Sequence, residues 1–462
     1  MDEACNNTPY LSVPDFYSGK SVFVTGGTGF LGKVLIEKLL YSCDKINNIY
    51  VLLRNKNGVR TEGRLKEMLK CPVFTRLREQ KPESLQKIKP IQGDITSNNL
   101  GMTNDQQALL EKVSVVFHLA ATIKFSEPLK TAVNVNLEGT REVLRVFKRF
   151  NHLEAFVYVS TTFSNADKEV IEEIKYPPPR TLKEVYDYIE QSNECNKDEN
   201  IDEFLNGLPN TYTFTKALAE SLVVEEHGDI PSVIVRPSIV TPAAKEPMRG
   251  WIDNWLGITT FILSVAKGWI RVLYGNRYFV LDLIPVDYVV NLIIITGARC
   301  KRSGEVPVYN ICSSSSNPIS SDLLGNLCMK ESAATKFNDF PLIGLIYTTS
   351  ARLVKLFSLL FETIPAYIAD FWIYITRTQK NKFSYVKAQS KQSMMREAMH
   401  YFQSRSWLMK SARTSELFAA QSDHDRQLFP CEPTDIKWTE YIPTYIYGMK
   451  KFLLDTRTEN MK

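Results

Sequence analysis

Tyr212 and Lys216 stand four residues apart in Asn210-Thr-Tyr-Thr-Phe-Thr-Lys216, where a segment with helical period through Ala217, Leu218 and Leu222 begins. Both side chains therefore fall on one helix face. The same spacing recurs at Tyr41/Lys45 and Tyr447/Lys451, so position, not spacing, gives the pair its meaning. The helix follows an apolar strand ending in Ser160-Thr161-Thr162, and those hydroxyls emerge at the carboxyl edge of the sheet, where open α/β folds bind ligands. Phenol, ammonium and hydroxyl suit hydride transfer to a carbonyl. The developing alkoxide needs a proton, and a phenol with a pKa near 10 responds poorly at neutral pH. A cation ~4 Å away in a partly desolvated site contributes roughly 4 kcal/mol. That lowers the phenol by up to about three units at about 1.36 kcal/mol per unit. Lys216 is expected to acidify Tyr212 and to bind ribose hydroxyls, and Thr161 to hold the carbonyl oxygen near the phenol. Ser160 and Thr162 compete for that last role. Asn136 is expected either to anchor water or backbone in a proton relay or to cap a helix.

The element that must bring a hydride donor to this edge lies near the start. Ser21–Val24 is a short apolar run that reads as a buried strand. Gly26, Gly29 and Gly32 follow at three-residue spacing, and Val34, Leu35, Leu39 and Leu40 then keep helical period. Strand, glycine turn and helix point backbone N–H groups and a helix N-terminus at a pyrophosphate. Gly26 makes the turn, Gly29 admits the phosphate, and Gly32 lets helix and strand pack closely. A second strand, 49–53, ends in Arg54-Asn-Lys56 with no acid. A guanidinium at that strand end suits a 2′-phosphate, so NADPH is expected over NADH.

Further strands are read at 88–95, 113–121, 155–160 and 232–240. Asp94 and Ile95 are expected to flank the adenine, and Ala120 and Ala121 to let the cofactor's backbone pass. His118 sits in an apolar run and reads as a packed histidine. Asn134–Thr140 opens a helix, and another starts at 284–291. Residues 59–89, charged and helical in tendency, read as a surface insertion, and 165–205, acidic and proline-interrupted, as a long surface excursion. Strands alternating with helices predict a doubly wound parallel sheet covered on both faces, an α/β fold.

The 462 residues, 44% of them hydrophobic, suffice for two or three domains, and the net charge of +5 argues against nucleic acid as the main partner. The expected division is an N-terminal arm at 1–19, a dinucleotide-binding domain with substrate insertions at 20–330, and an apolar helical domain at 331–462. Eight scattered cysteines form no CxxC pair and suit reduced thiols, and five dispersed histidines give no metal-ligand spacing, so no metal is expected. The first residues lack the features of a signal peptide. Residues 340–375 are strongly apolar yet carry Arg352, Lys355, Glu362 and Asp370, and their longest uncharged stretch is short of the ~20 residues a spanning helix needs. They are read as a helical hairpin dipping into one leaflet, or as helices covering an acyl tunnel.

Thr25-Gly-Gly-Thr-Gly-Phe-Leu-Gly32, Gly93-Asp-Ile95, His118-Leu-Ala-Ala121, Tyr158-Val-Ser-Thr161, Tyr212-Thr-Phe-Thr-Lys216 and Arg236-Pro-Ser238 together resemble an extended short-chain dehydrogenase/reductase. More narrowly, Asp15–Val24, Ile49–Lys56, Asn210–Glu220, Glu225–Pro231, Asp282–Asn291 and Trp438–Pro443 make the chain similar to insect fatty acyl-CoA reductases of the moth pheromone-gland type. That resemblance implies a Rossmann sheet with a mainly helical C-terminal domain. It implies reduction of a long-chain fatty acyl-CoA to a primary alcohol, through a bound aldehyde, with release of CoA and use of two NADPH. It implies that Gly26, Thr28, Gly29, Phe30, Leu31, Gly32, Arg54, Asp94, Ile95, Ala120, Ala121 and Pro237 hold the cofactor together with Tyr212 and Lys216. Thr161, Tyr212, Lys216 and Asn136 form the implied catalytic set. An endoplasmic reticulum membrane, with the catalytic domain facing the cytosol, is the implied location, and a peroxisomal membrane the alternative. Two departures stand out: Thr161-Thr162 replaces the Thr-Ala of many relatives, and the charged Asp455–Lys462 stands where many carry a longer hydrophobic end. The competing readings are a 3β-hydroxysteroid-type or aldehyde reductase, separable by a substrate screen, and a non-catalytic dinucleotide-sensing membrane scaffold, which would tolerate Tyr212→Phe.

Overall fold

The computed structural model describes residues 10–56, 58–195, 201–341, 344–376 and 384–455. Parts of the N-terminal arm and of the charged C-terminal end lie outside the described residues.

Seven parallel strands carry the molecule: β1 (Ser21–Thr25), β2 (Ile49–Leu53), β3 (Ile88–Gln92), β4 (Val113–His118), β5 (Ala155–Val159), β6 (Ser232–Pro237) and β7 (Val308–Ile311). Their order is β7-β6-β5-β4-β1-β2-β3, so chain direction across the sheet reverses between β1 and β4. That reversal opens a crevice at the carboxyl edge. Alternation sorts the side chains. Val22, Val24, Val51, Phe117 and Val157 enter one buried core and Phe23, Tyr50, Val116, Phe156 and Tyr158 the other, as a sheet covered on both faces requires.

Three helices position the site. Helix α1 (Phe30–Ser42) springs from the glycine turn. Helix α2 (129–147) runs without a break through a π-helical turn at Val133–Glu138. Helix α3 (Thr211–Glu226) starts at Asn210, whose side chain accepts a hydrogen bond from the Thr213 N–H at 2.9 Å. The expected helix start at Asn134 is thus corrected: that residue lies a turn inside α2. Predicted strands 88–95, 113–121 and 232–240 end at Gln92, His118 and Pro237, where Gly93, Leu119 and Ser238 leave the ladder. Ile239–Thr241 pairs instead with Leu283–Pro285. The excursion at 59–89 is also less superficial than its charge implies, because Val73, Phe74 and Leu77 are fully buried.

The last third of the chain adds α4 (Ala351–Thr376), 26 residues long, and α5 (Tyr385–Gln403). The acidic residues of α4 turn inward. Glu362 accepts from the Arg271 and Val272 N–H groups at 2.8 and 2.9 Å, from Gln389 at 2.9 Å and from Arg396 at 2.7 Å. Asp370 accepts from Ser384 and from the Tyr385 and Val386 N–H groups. Apolar side chains are left outside, with Ile368 62%, Phe371 64%, Trp372 66% and Tyr374 81% exposed.

Candidate active site

The glycine turn is locked by close approach. Gly26 has φ +71°, and a Cβ there would meet the Ala120 nitrogen at 2.8 Å. A Cβ on Gly32 would meet the Gly26 carbonyl at 2.3 Å, and one on Gly27 would strike Val51 at 2.5 Å. Gly29 differs: it sits in extended backbone as the N-cap of α1, and a Cβ would meet only the Gly26 oxygen, at 3.2 Å. Its side-chain volume is the space kept open before the helix N-terminus, which fits a pyrophosphate. Phe30 stacks on the buried Trp251 at 5.2 Å, fixing the first turn of α1 to the loop after β6.

A buried chain of hydrogen bonds joins β1, β4 and α2. Thr25 Oγ1 accepts from the Leu119 and Ala120 N–H groups at 3.2 Å each and pairs with His118 Nδ1 at 2.7 Å. His118 Nε2 meets Thr140 Oγ1 at 3.0 Å, and that hydroxyl donates to the Asn136 carbonyl at 2.7 Å. Burial, and then the charge of Lys216, push the His118 pKa down to about 3. His118 is a neutral strut.

At the strand end the Thr161 hydroxyl faces the Tyr212 phenol and favours its ionised form. The Thr161 and Thr162 hydroxyls also lie 3.4 and 3.5 Å from the Pro237 carbonyl at the end of β6. Thr162 is fully buried, and Ser160 Oγ has no hydrogen-bond partner. Of the three hydroxyls, Thr161 is the one whose influence on the phenol is resolved.

Lys216 departs from expectation. Its ammonium donates to the Val159 carbonyl at 2.6 Å and lies 4.3 Å from the centre of the Tyr158 ring. Burial pushes its pKa down to about 7. Burial raises Tyr212 to about 12, opposed only by the Thr161 hydrogen bond. The expected acidification of the phenol by Lys216 is therefore absent: the ammonium is spent on the β5 backbone, and desolvation of the phenolate dominates. Tyr212 is a neutral phenol that keeps its proton.

Asn136 lies inside the π-helical turn of α2, so the helix-cap role is also corrected. Its amide brackets Thr122, accepting from the backbone N–H at 2.8 Å and donating to the carbonyl at 3.1 Å, and it donates to Thr215 Oγ1 at 2.9 Å. It ties the loop after β4 to the helix bearing Tyr212 and Lys216.

At the far end of the crevice, Arg54 is exposed and 3.7 Å from Asp94. Asp94 also turns onto Thr96, and Ile95 is buried against Gly139. Arg64 went unnoticed in the sequence. Its guanidinium donates to the Arg54 carbonyl at 2.6 Å and reaches Thr28 Oγ1 at 3.5 Å, putting a second cation at the end of β2. Thr28 and Leu31 complete the turn, with Leu31 packed against the core.

Two residues beyond Thr161, Phe163 lines an apolar pocket together with Ile239, Phe261, Leu273, Phe402 and Trp407 among others. Sequence periodicity did not reveal it, because its walls come from segments far apart in the chain. Helix α4 contributes no lining residue. The described residues hold no cluster of three metal-ligating side chains.

Sheet order, glycine turn and the tyrosine–lysine helix define a dinucleotide-binding fold of the extended short-chain dehydrogenase/reductase class. Solved structures agree on the fold. The terminal R domain from the myxalamid PKS-NRPS pathway is 22% identical with a TM-score of 0.60, covering 94% of this chain and 91% of that one. UDP-glucuronic acid 4-epimerase from Bacillus cereus, in complex with NAD, is 15% identical with a TM-score of 0.52, covering 94% and 99%. An NAD-binding family profile described as male sterility protein matches residues 24–293, and a second male sterility profile matches 361–456. Fatty acyl-CoA reductase 1 of Xenopus laevis is 34% identical over 454 residues, 96% of this chain and 87% of that one. Fatty acyl-CoA reductase 2 of Mus musculus is 34% identical over 443 residues, 95% and 85% respectively. The chain belongs to the fatty acyl-CoA reductase family, and its cofactor is a nicotinamide dinucleotide.

Proposed function

We propose that this chain reduces a long-chain fatty acyl-CoA to the primary alcohol through a bound aldehyde, with NADPH as hydride source. The observation that carries the reading is the Tyr212 phenol facing Thr161 at the end of β5, joined through Phe125 and Phe402 to the apolar pocket. The dinucleotide supplies hydride when bound. Thr161 orients the carbonyl oxygen, and Tyr212 donates the proton as negative charge develops there. A phenol near 12 still surrenders its proton to an alkoxide, whose basicity is close to that of hydroxide, about 15.7. Lys216 holds the ribose and returns a proton to the phenolate, a task suited to a pKa of about 7. Asn136 fixes the loop and helix around them. The cavity receives the acyl chain, since such clefts bind by apolar contact with few polar groups. The test is stoichiometry: two NADPH consumed per alcohol formed from palmitoyl-CoA. One NADPH per acyl-CoA, with aldehyde as sole product, would overturn the reading.

NADPH over NADH is supported by Arg54 and Arg64 at the end of β2; Gly26, Gly29, Gly32, Ala120, Ala121 and Pro237 are assigned to the rest of the cofactor. Each charge-assisted bond to phosphate contributes about 1.5–3 kcal/mol. Arg54→Ala combined with Arg64→Ala is therefore expected to shift the NADPH-to-NADH ratio of kcat/KM by about 10²-fold toward NADH. An unchanged ratio would remove the 2′-phosphate assignment.

The insect pheromone-gland branch is supported by motifs from Asp15 through Asn291. Residues 20–330 are read as the dinucleotide and substrate unit and 331–462 as the unit that meets the membrane. The support for membrane association is α4: its carboxylates face the protein, while Trp, Tyr, Phe and Ile face outward, the pattern of a helix lying in an interface. Cytosolic thiols agree with six free described cysteines, and the endoplasmic reticulum is preferred to the peroxisome as the site. Ile368→Asp with Phe371→Asp is expected to weaken binding to phosphatidylcholine/phosphatidylserine vesicles by at least about tenfold, because each buried side chain contributes about 1.5–3 kcal/mol. Equal co-sedimentation of both proteins would contradict this.

A further inference from the structure

Phe125 stands where the catalytic edge meets the acyl cavity. Its ring stacks 6.2 Å from Tyr212 at 23° and 5.7 Å from Phe402 at 30°. Phe402 lines the cavity and packs edge-on against Phe163, at 5.4 Å, two residues beyond Thr161. The loop carrying Phe125 joins β4 to α2 and is tied at both shoulders. Asn136 brackets the Thr122 backbone, and the Thr122 hydroxyl donates to Glu127 at 2.9 Å. The Glu127 carbonyl accepts from the Thr211 hydroxyl at 2.8 Å, one residue before Tyr212. Between these shoulders Ile123 and Phe125 are 47% and 37% exposed, so the tip holds apolar surface over the site without being buried in a core.

We propose that Phe125 is a positioning residue that retains the aldehyde at Tyr212 between the two reductions; this rests on the two-step reading above. In the first reduction, hydride adds to the thioester carbon and a proton from Tyr212 to its oxygen. The C–S bond then breaks, the thiolate leaves with the electron pair, and the carbonyl re-forms as an aldehyde while the hydroxyl proton returns to the site. In the second, hydride adds to the aldehyde carbon and a proton to its oxygen, giving the alcohol. Each hydride oxidises one reduced dinucleotide by two electrons, so the aldehyde waits while oxidised dinucleotide is exchanged for reduced. Once the thiolate has gone, the aldehyde has no charged group to anchor it. Beyond the hydrogen bonds at its carbonyl oxygen, apolar contacts hold it, and Phe125 bridges the phenol and the pocket wall at the reacting end.

The test is product partition in the purified full chain, with palmitoyl-CoA, NADPH and hydroxylamine as aldehyde trap. Wild type is expected to give mainly alcohol. Phe125→Ala is expected to raise the trapped share relative to alcohol about tenfold, the effect of losing one large apolar contact to the bound aldehyde. A merely structural role would slow both reductions together and leave the ratio unmoved; an unchanged ratio in Phe125→Ala overturns the proposal. If that variant consumes no acyl-CoA, Phe125→Leu decides by the same ratio, raised in support or unchanged against. Wild type yielding aldehyde alone defeats the two-step reading itself, and the proposal with it.

Discussion

Tyr212→Phe is expected to lower alcohol formation by about 10³-fold, within the 10²–10⁴ that a positioned proton donor contributes. The substitution removes one oxygen from a half-buried ring and leaves the Phe125 stacking partner in place. Dinucleotide affinity should therefore change by less than about threefold, since the glycine turn lies two strands away across β4. Loss of turnover with binding retained assigns the phenol to chemistry. Equal loss of both would assign it to cofactor binding. A pH profile adds a sign. With its pKa raised to about 12, Tyr212 is protonated throughout the physiological range, so its own ionisation should not limit the rate below about pH 10.

The second large effect combines loss of activity with gain of stability. Lys216→Met is expected to abolish detectable reduction and at the same time stabilise the fold. Burial depresses the Lys216 pKa from 10.5 to about 7, which costs roughly 5 kcal/mol at about 1.36 kcal/mol per unit. Removing its hydrogen bond to the Val159 carbonyl returns about 1–3 kcal/mol of that. A net gain of about 2–4 kcal/mol at pH 7 is the expected result of urea unfolding. The pH dependence follows from proton counting. Below about pH 7 both states hold the proton and the full penalty applies. Between about pH 7 and 10.5 the unfolded chain holds more protons than the folded one, so stability rises with pH by up to about 1.4 kcal/mol per unit. Above 10.5 the penalty is gone. Lys216→Met should flatten that rise, whereas a variant that keeps the slope and loses stability would show that Lys216 supports the fold instead.

These residues show what a sequence makes legible. Gly26, Gly29 and Gly32 could be read from their spacing between strand and helix, and six of the seven strands could be read from short apolar runs alternating with helical stretches. Tyr212 and Lys216 shared a helix face by spacing, and Thr161 was placed with them by the strand before it. The direction of the Lys216 ammonium was not legible, since the choice between the phenol and the Val159 carbonyl is made by packing around Tyr158. Nor was β7, a four-residue strand whose partner β6 lies some seventy positions back. Arg64 was hidden because its helix turns back onto the end of β2 and the glycine turn, and Phe125 because its loop folds onto Tyr212, far along the chain. The apolar character of 340–375 was legible, but how its charges are accommodated was not: Glu362 and Asp370 turn inward onto the protein.

Expression in a host that supplies mixed fatty acids, followed by lipid analysis, tests the central claim most directly. Fatty alcohols should accumulate with the wild-type chain and vanish with Tyr212→Phe expressed at equal level. Alcohols from both proteins, or from neither, would contradict the assignment of this chain as a reductase working through Tyr212.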